Sequence, residues 1–180
     1  MASLRPGRCY RRLERPYTRQ STHVPRKGYV KGVPKSKLVE FEHGTKGSYE
    51  SSVYLVSKTD VQIRHNSLES ARVAAVSYLE RNMLKGAAFF MKIRVYPHHV
   101  IRENALATGA GADRFQQGMR ASFGKPIGVA ARVHKDQKMI EIQSPKSMIP
   151  LVKKAMMQAK YKLPTTCRIL VEEKSGAGAV

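Results

Sequence analysis

The stretch YPHHVIRENALATGAGADRFQQGMRASFGKP, residues 96–126, divides the chain and indicates how it folds. It lies between two apolar runs that are each typical of a β-strand, MKIRVY at 91–96 and IGVAARVH at 127–134. Connections without structure of their own seldom exceed ~12–15 residues in a compact domain unless they are functional or disordered. We therefore predict that 97–126 is a functional loop held between two strands of a folded scaffold.

The composition of this loop is typical of a surface that meets a ligand. Its glycines allow the backbone to turn freely and to approach another molecule closely. Its arginines supply positive charge, and its amide side chains supply neutral hydrogen bonds. The residues that we predict to face the ligand are Arg102, Asn104, Gly109, Gly111, Asp113, Arg114, Gln116, Gln117, Gly118, Met119 and Arg120.

The charge balance indicates a polyanionic partner. The 180 residues contain 33 Lys and Arg against 13 Asp and Glu, a net charge of +20. A polyanion removes the resulting self-repulsion and releases its own counterions, so nucleic acid is the leading interpretation. An anionic membrane is the alternative, but no apolar run approaches the ~20 residues of a spanning helix, and residues 1–10 lack the apolar segment of a secretory signal.

The two cysteines, Cys9 and Cys167, are far apart and lack the spacing of a metal site. We expect two reduced thiols in a cytoplasmic protein, with no cofactor and no metal.

Residues 1–37 are predicted to form a basic, extended arm and not a domain. They carry eleven Lys and Arg against one acid, Glu14, and prolines interrupt any helix. Arginines can fork onto phosphates and interleaved tyrosines can stack on bases; the alternative is a plain disordered tail. The residues predicted to bind RNA are Arg5, Arg8, Arg11, Arg12, Arg15, Tyr17, Arg19, Arg26, Lys27, Lys31 and Lys35 in the arm, with His98, His99 and Lys125 at the ends of the loop.

The remainder, 38–173, is predicted to be one α+β domain, followed by a disordered Gly/Ala tail at 174–180. The pattern gives two β-β-α-β halves that form a mixed or antiparallel sheet backed by two helices. Asn66 or Ser67 is expected to cap the first helix and Ser144 the second, and 127–134 should pair with 139–143 as a hairpin. The predicted strands are 38–41, 49–57, 61–64, 89–96, 127–134, 139–143 and 167–172, and the predicted helices are 68–84 and 146–161.

Enzymatic sites are not indicated. In GAGADR, residues 109–114, Arg114 occupies the third glycine position of a dinucleotide loop. The adjacent His98 and His99 should point to opposite sides of an extended segment, which disfavours a shared metal. An RNA-modifying enzyme would need a cluster of acids, and we expect Glu40, Glu42, Glu50, Glu69, Glu80 and Glu141 not to converge. A stand-alone RNA-binding regulator or nucleoid protein remains the alternative.

Three long motifs give the chain a resemblance to a known family. MASLRPGRCYRRLERPYTR at 1–19, VPKSKLVEFEHGT at 33–45 and GAGADRFQQGMRASFGKPIGVAARV at 109–133 resemble the archaeal and eukaryotic ribosomal protein L-ten-e family, whose bacterial counterpart is called L-sixteen. The resemblance covers essentially the whole chain, and the short tail resembles the archaeal branch.

The resemblance implies a hammerhead-type α/β fold and a structural, non-catalytic role in the large ribosomal subunit. It implies binding to large-subunit ribosomal RNA in the central protuberance and contact with neighbouring ribosomal proteins. It further implies that residues 102–120 point toward the peptidyl-transferase centre and the transfer RNAs in the A and P sites. Neither a membrane nor a homo-oligomer is expected.

Overall fold

The fold is built from eight strands and two helices within the residues that the computed structural model describes: 4–13, 30–83, 88–107, 109–114, 116 and 118–173. Single-turn 3-10 helices cover Gly7–Tyr10, Ala112–Arg114 and Lys146–Met148. The main elements are β1 (Glu42–Gly44), β2 (Ser51–Ser57), β3 (Val61–Arg64), α1 (His65–Asn82), β4 (Phe90–Ile93), β5 (His99–Glu103), β6 (Lys125–Val133), β7 (Lys138–Ser144), α2 (Ile149–Lys160) and β8 (Cys167–Glu173).

The strands form two antiparallel sheets, ordered β1-β4-β7-β2-β8 and β3-β6-β5. The predicted α+β class with two helices is confirmed, and the predicted order recurs as β2-β3-α1-β4 and β6-β7-α2-β8. The prediction of a single sheet is wrong. Each half is preceded by one more strand, β1 or β5.

The predicted hairpin between β6 and β7 is also wrong, because the chain changes sheets between them. Asp136 adopts a left-handed conformation with φ 62°, and its N–H donates to Ser57 O at 2.9 Å, while Ser57 N–H donates to Gln137 O at 3.2 Å. The connection at 134–137 is thus bonded to the end of β2, where the chain also changes sheets. The turn-forming residues were recognised, but they make a corner in place of a hairpin.

One continuous core joins both sheets to both helices. α1 contacts the smaller sheet at β3 and β6, α2 contacts the larger sheet at β2, β7 and β8, and the helices pack on each other. Small side chains at Ala71, Ala75, Ala155 and Ala159 are fully buried. Larger side chains such as Leu55 fill the core beside them, and burial of each such side chain stabilises the fold by about 1.5–3 kcal/mol.

Several predicted details differ at the ends of elements. Residues 38–41 are not a strand; the edge strand is β1. α1 begins at His65 without a side-chain cap from Asn66 or Ser67. Ser144 ends β7 and does not cap α2; Pro145 precedes a 3-10 turn there. The other predicted elements agree to within about three residues at each end.

The most consequential difference is β5, which occupies the first part of the predicted loop. Its sequence, HVIRE, is short and does not alternate between apolar and polar residues, so the strand pattern was weak. β5 pairs with β6 from Lys125 onward, which shortens the loop from 97–126 to 104–124. The predicted division into arm, domain and tail stays a prediction, because residues 14–29 and 174–180 lie outside the described part of the chain.

Candidate nucleic-acid interface

The root of the loop lies where β5 ends and β6 begins. Glu103 pairs with Lys125 as the last rung of the ladder. A Cβ atom on Gly124 would lie 2.8 Å from the backbone N and C of Glu103, so only glycine fits without displacing the backbone. Beside it, the Arg102 guanidinium lies 4.0 Å from the centre of the Phe123 ring. These contacts give the loop a defined root.

The tip of the loop is closed by one amide side chain. Ala107 N–H donates to Gln116 Oε1 at 2.7 Å, and Gln116 Nε2 donates to Ala107 O at 2.8 Å. Between them, Arg114 N–H donates to Gly111 O at 3.1 Å, with Gly111 at φ 75°. Gln116, predicted to face a ligand, therefore has both amide atoms engaged within the loop.

The outward side of the tip consists of cations and bare backbone. Arg114 and Arg120 are exposed, and no ion pair involves either within the described ranges. Met119 is 70% exposed. A Cβ on Gly109, Gly111 or Gly118 would meet no atom within 4 Å. The tip can therefore bring its backbone against another molecule while its arginines bind anions.

The first described residues of the arm are folded against the smaller sheet and the loop root. Gln62 N–H donates to Arg11 O at 2.9 Å, and Gln62 Nε2 donates to Tyr10 O at 3.1 Å. The Tyr10 hydroxyl donates to Glu103 Oε2 at 3.0 Å, and Arg5 forms an ion pair with the same carboxylate. Burial and the hydrogen bond to Glu103 raise the pKa of Tyr10. These contacts were not predicted, since nothing in the sequence links Glu103 to Tyr10, which lies 93 positions earlier.

The remaining predicted arm residues divide into three groups. Arg5 is engaged by Glu103 and is therefore partly a structural residue. Other cations are exposed and make no ion pair in the described part of the chain: Arg8, Arg11, Arg12, Lys31 and Lys35. The rest lie outside the described residues: Arg15, Tyr17, Arg19, Arg26 and Lys27, together with Gln117 of the loop and the side chain of Asp113.

The two adjacent histidines lie on opposite sides of the chain. His98 is exposed, and its Nδ1 lies 3.0 Å from Tyr96 O. His99 is only 9% exposed, its Nδ1 is buried without a partner, and burial together with the charge of Arg132 lowers its pKa. RNA could reach His98 here, whereas the imidazole of His99 is directed into the protein. Of the other predicted contacts, Lys125 is exposed and Asn104 is half-buried with its Nδ2 unpaired.

The expectation that the acids stay apart is wrong for three of the six glutamates. Glu40, Glu69 and Glu80 gather around Arg72 and His43, with Arg72 Nη2 at 2.6 Å from Glu69 Oε1. Arg72 pairs with both Glu40 and Glu69, and hydrogen bonding to Arg72 lowers the pKa of Glu69. Among the described residues, no group of three or more His, Cys, Asp or Glu side chains could hold a metal ion.

A fourth glutamate, Glu141, is buried on the larger sheet. It accepts hydrogen bonds from Gln143 Nε2 at 2.7 Å, Arg94 Nη1 at 2.8 Å and the Tyr54 hydroxyl at 3.3 Å. Burial raises the pKa of Glu141, but these donors outweigh burial and hold it below the usual value. The environment keeps this carboxylate ionised and internally bonded, which suits a structural role.

None of the described helices has the length and apolar character needed to cross a bilayer.

The sequence is similar to known proteins over most of its length. Residues 14–170 match the sequence model of the family described as "Ribosomal protein L16p/L10e". The protein named large ribosomal subunit protein uL16 in Methanococcus aeolicus is 44% identical over 171 residues, which is 94% of each chain. Its counterpart in Staphylothermus marinus is 46% identical over 169 residues, 93% of this chain and 92% of its own, and that in Archaeoglobus fulgidus is 43% identical over 171 residues, 94% and 93%. The chain therefore belongs to the ribosomal protein L16p/L10e family, a family of structural ribosomal proteins and not of enzymes.

Proposed function

We propose that this chain, a cytoplasmic constituent of the large ribosomal subunit, uses its 104–124 loop to help position transfer RNA in the A and P sites near the peptidyl-transferase centre. The loop binds its substrates without transforming them. The basic arm and the exposed cations near the smaller sheet attach the protein to large-subunit ribosomal RNA, and neighbouring ribosomal proteins complete its surroundings.

The single observation that carries this proposal is the contrast between the two ends of the loop. The root is fixed by the close approach at Gly124 and by the Arg102–Phe123 contact. The tip presents exposed Arg114 and Arg120 beside glycines with open space around them. A rigid base with a cationic, sterically bare end suits recognition of an RNA backbone, where guanidinium groups bind phosphates in a bidentate manner.

The arm supports the ribosomal RNA part of the proposal. Arg8, Arg11 and Arg12 are exposed and make no ion pair within the described residues. Arg8 lies in the 3-10 turn Gly7–Tyr10, Arg11 and Arg12 follow it directly, and Gln62 of β3 bonds the backbone of Tyr10 and Arg11. Pre-ordering lowers the entropic cost of binding, so this cluster is a better RNA contact than the same cations on a free chain. Family membership sets aside the alternative of a stand-alone regulator or nucleoid protein.

The proposal is tested by shortening the loop without disturbing its root. Residues 105–122 are replaced by a short Gly-Ser turn, and Glu103, Phe123 and Gly124 are kept. Since the loop lies outside the core, the variant should fold, enter large subunits in an archaeal host depleted of its own relative, and impair transfer RNA binding and peptide synthesis.

A point variant separates charge from loop length. R114Q/R120Q should weaken transfer RNA binding to reconstituted subunits, whereas K58Q/K135Q, which removes two exposed lysines at the corner between the sheets, should not. Normal translation by subunits with the shortened loop would refute the positioning role. Failure of the shortened chain to fold would make the loop a structural element.

A further inference from the structure

The outward face of α2 is a second cationic surface that neither the arm nor the loop includes. Residues 142–171 contain six Lys and Arg and no Asp or Glu. Val152, Ala155, Met156 and Ala159 form the buried side of the helix. The residues at the opposite positions of the helical turn form what we call the lysine face: Lys153, Lys154, Met157, Gln158 and Tyr161.

Intramolecular electrostatics does not account for the lysine face. A solvated helix face ordinarily pairs its cations with acids three or four residues away, but α2 contains no acid. Within the described residues, no ion pair involves Lys153 or Lys154, although Lys146 and Arg168 nearby are each paired with a carboxylate.

The helix dipole also leaves these two lysines unexplained. A helix dipole stabilises cations that lie near its negative, C-terminal end. In the structure α2 runs over the 12 residues Ile149–Lys160, so Lys153 and Lys154 are its fifth and sixth residues and belong to the N-terminal half. The dipole acts mainly within the terminal turns and stabilises cations only at the C-terminal end, so it accounts for Lys160 alone.

The lysine face also carries exposed side chains that suit RNA. Tyr161 is 70% exposed and Met157 is 45% exposed, and they follow Lys153 at helical spacing. Next to Tyr161, Lys162 borders an open cleft of about 590 Å³ whose lining includes Lys37 and two serines of α1, Ser70 and Ser77. Cations for phosphates beside an exposed aromatic ring are the combination that RNA-binding surfaces use.

We propose that the lysine face of α2 is a separate contact for the phosphate backbone of large-subunit ribosomal RNA, with Tyr161 stacking on a base or ribose. This inference rests on the proposed function, because it takes ribosomal RNA as the ligand. It adds a contact on the helical side of the domain to those made by the arm and the loop. An acidic protein neighbour is the competing occupant, and the experiment distinguishes the two.

The first test measures binding of the full chain to deproteinised archaeal large-subunit ribosomal RNA over a range of salt concentrations. K153Q/K154Q should make the plot of log K against log salt shallower by about 0.7–0.9 for each lysine. If the affinities of variant and wild type converge at 1 M salt, the variant should bind the RNA about 25- to 60-fold more weakly at 0.1 M salt. K58Q/K135Q is the matched control, since it removes the same charge from exposed lysines that form no ion pair with any described residue. Glutamine and lysine have similar helix propensities, so α2 should remain folded.

The second test separates stacking from charge. Y161L should weaken binding at least about fivefold without changing the salt slope, because stacking releases no counterions. A photo-crosslinking residue at position 157 in assembled subunits should crosslink to ribosomal RNA.

Equal salt slopes for K153Q/K154Q and K58Q/K135Q, or crosslinks to a ribosomal protein in place of RNA, would overturn the inference. Such a result leaves the proposed function intact as long as wild type binds RNA and R8Q/R11Q/R12Q weakens that binding. A wild-type chain without affinity for the RNA would refute both.

Discussion

Replacing Gly124 by alanine should open the root of the loop while leaving the rest of the fold in place. The added Cβ would lie 2.8 Å from two backbone atoms of Glu103 and 3.0 Å from Asn104 N. Real Cβ atoms do not approach so closely, and the obstructing atoms are backbone, which cannot rotate away as a side chain can. The two chain segments must therefore separate by about half an ångström, and the Glu103–Lys125 rung is the first contact to be lost.

The size of the effect follows from the cost of overpacking. An added methyl group that displaces well-packed atoms costs about 1–3 kcal/mol. For a domain of this size, 1 kcal/mol changes the melting temperature by about 2–4 °C, so G124A should lower Tm by roughly 2–12 °C. Gly109 provides the matched control because its Cβ would meet nothing within 4 Å and its backbone is not left-handed. G109A should leave Tm unchanged.

Thermal unfolding followed by circular dichroism measures the difference, and hydrogen exchange locates it. In G124A the amides of residues 103–104 and 125 should exchange faster, while those of β2 and β7 should be protected as in wild type. Equal Tm values for G124A and G109A would refute the argument that glycine is required by the close approach at the root. Uniformly faster exchange throughout the domain would show that the root is part of the core and not a local closure.

Three further outcomes follow from single side chains. E141Q should lower the free energy of unfolding at pH 7 by about 1–3 kcal/mol. Because the folded pKa of Glu141 is depressed, this difference from wild type should be lost as the pH falls below about 4.5. Urea titrations at several pH values measure it. Burial and the charge of Lys37 lower the pKa of His65, whose Nδ1 accepts a hydrogen bond from the Lys37 backbone at 3.2 Å. The free energy of unfolding should therefore fall as the pH drops below about 6.5, and H65N should reduce this dependence on pH. Q116A should loosen the tip by removing both bonds to Ala107, seen as faster proteolysis between residues 105 and 122 with Tm unchanged, whereas unaltered proteolysis would show that the amide does not hold the tip.

The sequence allowed prediction of the elements whose patterns are long or punctuated. β2, β3 and both helices follow from β-branched runs and helical spacing of apolar residues, and these are local signals. The assignment of strands to two sheets was not predictable in this way, because it depends on hydrogen bonds between distant segments. The bonds between Ser57 and residues 136–137 are an example: they turn an apparent hairpin signal into a corner.

For the candidate site, the sequence indicated chemistry better than position. Arg114, Arg120 and the loop glycines were recognised by residue type and are found exposed or in open space. Gln116 has the same kind of side chain as a ligand-binding amide, but its bonds close the loop on itself. His98 and His99 were both predicted to bind RNA and to point to opposite sides of an extended segment; His98 is exposed and His99 is buried, so the chain presents His98 to solvent and not His99.

The arm and the loop are attached to the same sheet, so their positions relative to each other are fixed by it. Both attach to the three-stranded sheet, the loop through β5 and β6 and the arm through β3, and the Glu103 carboxylate joins them by accepting from Tyr10 and pairing with Arg5. An RNA that fixes the arm therefore also holds the residue from which the loop departs. Cations on a mobile chain would supply affinity alone, whereas cations fastened to the loop root set the direction in which the loop points. Under the proposed function, an RNA bound to the arm would orient the loop without a moving part, because the closed root and the contacts of Glu103 with Tyr10 and Arg5 already connect the two.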